Sequence, residues 1–134
     1  MTRLRYVAAS ALTLASVVLL TGCAGQQAPL ADLAGERTSQ DELPQLSDYA
    51  YDLVNTASSK YVGEYEGTSL WLALGIDPDT QVCLIVAPGN DRWTVSCGGI
   101  RMITSNGEHT FEVVPDGASP AESATRVSEN VHAR

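Results

Sequence analysis

From Lys60 onward the sequence consists of short apolar runs separated by turn residues, and this pattern constrains the fold more than any other feature. Runs rich in β-branched and aromatic residues, bounded by Gly, Pro, Asn and Asp, are typical of strands joined by tight turns. Glu66-Gly67 lies between the first two runs and favours a two-residue hairpin. The pattern therefore predicts an antiparallel β-meander of about six strands. The predicted strands are 61–65, 68–74, 82–87, 92–97, 100–104 and 110–114.

Asn106-Gly107 is a second hairpin signal, because both residues accept the positive φ that two-residue turns require. A two-residue turn here would place Met102 opposite Phe111 on one face of the hairpin. On the other face it would place Arg101 opposite Glu112, a cross-strand pair of opposite charges. The residue types agree with this predicted register.

The segment 41–57 has a different period. Its apolar residues recur at i, i+3, i+4, i+7, i+8 and i+11, the spacing of one face of an α-helix. Pro44 is compatible with the first turn of such a helix. We therefore predict one N-terminal helix of about three turns. The residues on its apolar face are Leu46, Tyr49, Ala50, Leu53, Val54 and Ala57.

The N-terminus combines Arg3 and Arg5, an apolar run over 7–20, and the sequence Leu20-Thr21-Gly22-Cys23. These are the parts of a secretory signal, and the apolar run is too short for a membrane-spanning helix. The last four residues resemble the lipobox of bacterial lipoproteins, in which the cysteine carries the lipid. We therefore expect residues 1–22 to be removed and Cys23 to be the lipid attachment site. The protein would then be lipid-anchored in the cell membrane and would face the extracytoplasmic side.

Residues 23–40 are rich in Ala, Gln, Gly, Ser and Thr and have no sustained periodicity, which is typical of a flexible tether. Residues 41–134 then form a single small domain. Within it, the sequence favours neither a last strand nor a frayed tail for 125–131.

Cys83 and Cys97 remain once Cys23 is assigned to lipid, and two thiols outside the membrane are expected to oxidise to a disulfide. Pairing them across a hairpin places Ile85 opposite Val95. The alternative is a metal site, but two thiols with only His109 and His132 fit no familiar zinc spacing. We expect the disulfide and no metal.

Charge limits the partners. Without Arg3 and Arg5, the mature chain would carry six basic and 16 acidic residues, a net charge of −10. Such a charge repels nucleic-acid phosphates. We therefore expect no nucleic-acid partner, and propose instead the membrane through the lipid and an unknown protein or envelope ligand.

Catalytic chemistry has few candidates in this sequence. No nucleophile elbow, phosphate loop or metalloprotease helix occurs. Asp77-Pro78-Asp79 lacks the alternating ligands of a calcium loop and predicts a turn. Glu64 and Glu66 lie beside a hairpin turn and His109 beside another, so exposed positions explain all three. We expect no catalytic residue and no cofactor.

Aromatic residues on the predicted strands have two interpretations. Core packing explains most of them. Tyr61, Tyr65 and Trp71 would instead form a binding surface if they shared one face of the first hairpin, since aromatic side chains dominate binding hot spots.

Five segments, residues 61–67, 70–73, 82–86, 93–99 and 114–117, cover most of the predicted domain. Together they resemble the small secreted lipoproteins of high-GC Gram-positive bacteria, a group without an assigned activity. The resemblance implies export, lipid anchoring and the disulfide, and it implies nothing about catalysis.

The sequence thus predicts an α+β domain with one N-terminal helix, an antiparallel meander of about six strands and one disulfide. The function that it favours is a non-enzymatic binding module of the cell envelope. The alternatives are an accessory subunit of a larger membrane complex and an envelope hydrolase.

Overall fold

The computed structural model describes residues 29–77 and 81–134, and over these residues the chain forms eight antiparallel strands and three short 3-10 turns. The predicted signal segment and Cys23 lie outside the described residues. The strands are β1 (Val54–Tyr65), β2 (Thr68–Gly75), β3 (Val82–Ala87), β4 (Thr94–Gly98), β5 (Met102–Ser105), β6 (Thr110–Val113), β7 (Thr125–Arg126) and β8 (Val131–Ala133). The 3-10 turns are η1 (Ala31–Leu33), η2 (Ser39–Asp41) and η3 (Asp48–Tyr51).

The strands form two sheets rather than the single predicted meander. The first sheet has the order β1-β2-β3-β4, and the second has the order β5-β6-β8-β7. The chain passes from one sheet to the other between β4 and β5. Strands β1 and β4 are therefore the two edges of the first sheet.

The central strands of the first sheet, β2 and β3, are packed on both faces. The inner face of the sheet packs against the second sheet, and the apolar side chains of this inner core come from both sheets and from Leu30. Its outer face packs under the N-terminal segment and forms an outer core around Trp71, Cys83 and Ile85. Burial on both faces explains why β3 is apolar throughout. The inner core consists of Leu30, Leu70, Leu72, Val82, Leu84, Val86, Phe111, Val113, Val131 and Ala133.

The predicted helix over 41–57 is wrong, and with it the α+β fold class. The helical elements among the described residues are three short 3-10 turns. The last four residues of the predicted helix already belong to β1. Tyr49 and Leu53, two residues of the predicted buried face, are 68% and 53% exposed. The polar stretch Asn55–Ser59 favours helix weakly, whereas β1 pairs with β2 at Val54 and Asn55 and again from Lys60 onward. Tertiary pairing therefore overrides the local period.

Two predicted hairpins are confirmed. Tyr65 lies opposite Thr68 across Glu66-Gly67, whose φ angles of 45° and 80° are those of a tight two-residue turn. In the central hairpin Cys83 lies opposite Cys97, and Ile85 opposite Val95, as expected. The Cys83–Cys97 disulfide is present.

The predicted register of the third hairpin is wrong by two residues. Ser105 pairs with Thr110, so that the turn contains four residues and Met102 lies opposite Val113 instead of Phe111. The Asn106 side-chain oxygen accepts the amides of Glu108 and His109, which stabilises the longer turn. A shift of two keeps each side chain on its predicted face.

The ends of the domain are fixed to each other. From Leu30, which is fully buried, the described part of the predicted tether packs on the sheets. The Ala31 amide donates to Asp116 (2.8 Å), and Asp32 accepts the Asn130 amide (2.8 Å). Hydrogen bonds to Asn130 and to the Ala31 amide hold the pKa of the Asp116 carboxyl below its usual range. Near the other terminus, β8 is buried and pairs with both β6 and β7.

Candidate functional site

The three aromatic residues of the predicted binding surface do not share a face. Tyr61 and Trp71 lie on the outer face of the first sheet, with ring centroids 5.3 Å apart. Trp71 is only 9% exposed, and its indole N–H donates to the Gln40 carbonyl (3.2 Å). Tyr65 lies on the inner side, in edge contact with the rings of His109 (5.1 Å) and Phe111 (6.3 Å). These side chains therefore form parts of two cores instead of one platform.

A β-bulge separates them. The register of β1 against β2 shifts between Tyr61 and Gly63, and an inserted residue turns every later side chain to the opposite face. Gly63 has a φ of +136°, and a Cβ at this position would lie 2.9 Å from a methyl carbon of Val127. The bulge thus needs glycine at this position, and that glycine within a strand was the one signal of it in the sequence.

The edge of β1 that points away from β2 is covered by charged side chains of the N-terminal segment. The buried carboxylate of Asp41 accepts the amide of Tyr61 (2.8 Å) and that of Thr38 (2.7 Å). The ammonium of Lys60 lies 3.5 Å from the same carboxylate. Burial raises the pKa of Asp41, but the two amides and Lys60 outweigh burial and hold that pKa below its usual range. We call this side of β1 the closed edge.

Arg37 completes the closed edge. Its guanidinium donates to the Ser59 carbonyl (3.1 Å) and to the Ser59 hydroxyl (2.9 Å), which in turn donates to the Asp41 carbonyl (2.6 Å). The Lys60 ammonium also donates to the Glu36 carbonyl. Donors and acceptors of β1 that would otherwise face solvent are thus satisfied by residues 36–41.

The opposite edge borders an apolar cleft of about 470 Å³. Tyr49 and Leu53 form its exposed wall, and the rings of Tyr49 and Trp93 are 5.7 Å apart. Val95 and the disulfide-bonded Cys97 form its floor, on the outer face of β4. We call this feature the aromatic cleft. Its lining residues are Tyr49, Ala50, Asp52, Leu53, Trp93, Val95 and Cys97.

Local anchors hold the exposed wall of the aromatic cleft in place. Ala50 in η3 is buried, and the Tyr51 hydroxyl donates to the Pro44 carbonyl (2.6 Å). Burial raises the pKa of Tyr51 to about 12. The Leu53 carbonyl accepts the Ile76 amide (3.0 Å). The exposed apolar residues Tyr49 and Leu53 thus project from an anchored backbone.

A second groove, of about 510 Å³, lies on the other flank of η3. Residues 42–48 form most of its wall, with Arg37, Tyr51, Thr56 and Ala57 completing it. One contiguous loop supplies most of its residues, whereas the aromatic cleft joins two separate parts of the chain. The aromatic cleft is therefore the better candidate for recognition.

The residues considered for catalysis are dispersed. Glu64 is exposed on β1. His109 is partly buried against Tyr65, where the sequence predicted an exposed position, and its Nε2 lies 3.3 Å from the carboxylate of Glu66. Among residues 29–77 and 81–134, no group of three His, Cys, Asp or Glu side chains could hold a metal ion.

Comparison of the chain with protein-family models, curated proteins and solved structures finds no match. The site must therefore be judged on its own chemistry. Within the described part of the chain, no helix is long and apolar enough to cross a bilayer.

The sequence placed the residues of the aromatic cleft elsewhere. Tyr49 and Leu53 were assigned to the buried face of a helix, and Trp93 to core packing. Their exposure follows from the start of β1 at Val54, which leaves η3 to cover only part of the outer face. In the sequence, the sign that this segment is not one long helix was that its helical period runs into a polar stretch typical of strands.

Proposed function

We propose that this chain is a lipid-anchored, extracytoplasmic binding module, with the aromatic cleft as its recognition surface. The observation that carries the proposal is the exposure of Tyr49 (68%) and Leu53 (53%) against Trp93 on an anchored backbone. Burying a large apolar side chain of this kind contributes about 1.5–3 kcal/mol. Exposed apolar patches with aromatic residues mark interaction sites.

The anchor is part of the proposal and rests on Leu20-Thr21-Gly22-Cys23. Two acyl chains on Cys23 would hold the domain at the membrane without any contribution from the protein surface. The aromatic cleft would then remain available to a partner in the envelope.

Changing Cys23 to Ala tests the anchor. We expect an uncleaved precursor or released soluble protein, because the thiol that receives the lipid is gone. Fractionation of producing cells, followed by intact-mass measurement, distinguishes these forms from the lipidated chain. A variant that is processed and retained on membranes like the wild type would contradict the lipid anchor.

Photocrosslinking on intact cells tests the recognition surface. A photoreactive phenylalanine analogue replaces Leu53 in one variant and Ile103 in a matched control, since Ile103 is similarly exposed (55%) but lies on β5, away from the aromatic cleft. We expect a discrete crosslinked species from position 53 only, and its loss when Trp93 is also changed to Ala. The same crosslinking pattern from both positions would contradict the proposal.

A further inference from the structure

The backbone of β4 has a defined orientation at the edge of the first sheet. The Cα atoms of Cys83 and Cys97 are 4.0 Å apart. Directly opposed residues of an antiparallel pair alternate between about 5.5 Å where they exchange hydrogen bonds and about 4.5 Å where they do not. Cys83 and Cys97 therefore form a pair of the second kind. The peptide groups of Cys97, and of Val95 two residues earlier, consequently point away from β3.

Those outward peptide groups have no protein partner in the described structure. Over residues 29–77 and 81–134, no backbone or side-chain hydrogen bond reaches the outer side of Val95 or Cys97. The two residues present two N–H donors and two C=O acceptors, repeated at about 6.8 Å along the strand. We call this side of β4 the open edge.

The open edge is held firmly from the other side. The Cys83–Cys97 disulfide links β4 to β3, and the hydroxyls of Ser96 and Thr104 are 2.7 Å apart between β4 and β5. The Arg92 guanidinium also lies 3.1 Å from the Glu108 carboxylate. A strand that is fixed before binding loses little conformational entropy when a partner pairs with it.

Val95 and Cys97 form both the open edge and part of the aromatic cleft. Val95 and Cys97 direct their side chains to the floor of the cleft and their peptide groups to the edge beside it. A segment paired with this edge would place alternate side chains over the cleft, against Trp93 and the exposed wall of Tyr49 and Leu53. Only another extended peptide backbone matches regularly spaced donors and acceptors of this kind.

We infer that the partner is a protein that adds an extended peptide strand to the open edge of β4 and inserts an apolar side chain into the aromatic cleft. This inference rests on the proposed function and names the partner class for the same site. Asp52 is the charged residue of the cleft lining, and the chain carries a net charge of −8. Charge complementarity therefore favours a peptide with a basic residue two positions from its apolar one, so that both side chains lie on the face that covers the cleft.

A library of linear peptides of about ten residues, displayed on phage, is the probe. It is selected against the full chain purified from producing cells, and the enriched peptides are synthesised for titration against the variants. We expect sequences with an apolar and a basic residue at alternating positions. We also expect their binding to weaken about tenfold in Val95→Pro, which removes one outward N–H, and in Leu53→Ala, which removes an apolar wall of the cleft without changing the charge. Ile103→Ala is the control and should bind as the wild type does.

Amide hydrogen exchange of Val95 and Cys97 is the second measurement, and it does not depend on any variant folding. The bound peptide should slow the exchange of both amides, whereas the amide of Ser96 should change little because it already pairs with β3. Unchanged exchange at Val95 and Cys97, together with full binding by Val95→Pro, would overturn strand addition.

The possible results distinguish strand addition at the open edge from the more general proposal that the aromatic cleft is a recognition surface. Peptides that need Leu53 but not the Val95 amide would leave the cleft as a recognition surface and overturn strand addition. If no peptide is enriched but crosslinking from position 53 on cells persists, strand addition also fails and the proposed function stands. If no peptide is enriched and position 53 gives no crosslink, both strand addition and the proposed function fail. A stable dimer of the purified chain that Val95→Pro dissociates would make a second copy the occupant and overturn the inferred partner.

Discussion

The two edges of the first sheet differ in whether their outward backbone N–H and C=O groups have hydrogen-bond partners in the chain. At the closed edge, Asp41 accepts the Tyr61 amide and Arg37 donates to the Ser59 carbonyl. At the open edge, the peptide groups of Val95 and Cys97 have no comparable partner among the described residues. The same sheet thus has one edge covered by the chain itself and one edge left beside an apolar cleft.

The difference teaches how this fold limits pairing with other chains. An uncovered strand is a template for any extended segment, and proteins usually cover or interrupt it. Here the bulge at Gly63 and the buried charges of Asp41 and Lys60 protect β1. Strand β4 is short, and its open edge, formed by Val95 and Cys97, lies beside the aromatic cleft. Of the two edges of the first sheet, the one at β4 is thereby the edge left to pair with another strand.

Changing Asp41 to Ala should have the largest effect, because it opens the closed edge. It leaves the buried Lys60 ammonium without its carboxylate and the Tyr61 amide without its acceptor. We expect the free energy of unfolding to fall by about 3 kcal/mol. Urea denaturation measures it. The control is Asp52→Ala, an exposed carboxylate in the lining of the aromatic cleft, which should change that free energy by less than about 0.5 kcal/mol. Equal effects of the two changes would contradict the special role of Asp41 at the closed edge.

Proline substitutions at neighbouring positions of β4 should sharpen the comparison. Ser96 directs its amide into the ladder with Leu84, so Ser96→Pro should lower the free energy of unfolding by at least about 2 kcal/mol. Val95→Pro removes an amide that points outward and should cost less than about 1 kcal/mol. Thermal and urea unfolding of both variants test whether inward and outward amides alternate along β4 in this way. The reverse order of stability would mean that the outward residues are misassigned.

The pH dependence of stability should show a smaller effect at the closed edge. The pKa of Asp41 is lower in the folded protein than its ordinary value of 3.8. Its contribution is therefore fully present above the ordinary value and is lost as the pH falls through the lowered one. We expect the stability difference between the wild type and Asp41→Asn to be constant from pH 7 to about pH 5 and to shrink below about pH 4. Urea titrations at each pH measure it, and a constant difference down to pH 2 would contradict the lowered pKa.

Much of the first sheet could be predicted from local residues. The Glu66-Gly67 turn, the apolar run of β3 and the spacing of Cys83 and Cys97 each determine a short-range pairing, and all three predictions are confirmed. These features depend on neighbours in sequence. Strand alternation and turn chemistry are therefore sufficient to find them.

The candidate site could not be predicted in this way because it depends on long-range pairing. The apolar period from Leu46 to Ala57 fits a helix, and only the ladder with β2 makes its last residues a strand. The bulge before Gly63 separates Tyr61 from Tyr65 without changing the composition of the run. The division into two sheets, which leaves β4 at an edge, is set by packing between elements far apart in sequence.

Amide hydrogen exchange of the free protein, resolved by residue with NMR, tests the contrast between the edges most directly. The account predicts that the amides of Val95 and Cys97 exchange rapidly, while those of Ser96 in β4 and Tyr61 at the closed edge are protected. Protection of Val95 and Cys97 equal to that of Ser96 would show that the edge of β4 is covered. That result would contradict the open edge, and the binding mode inferred from it.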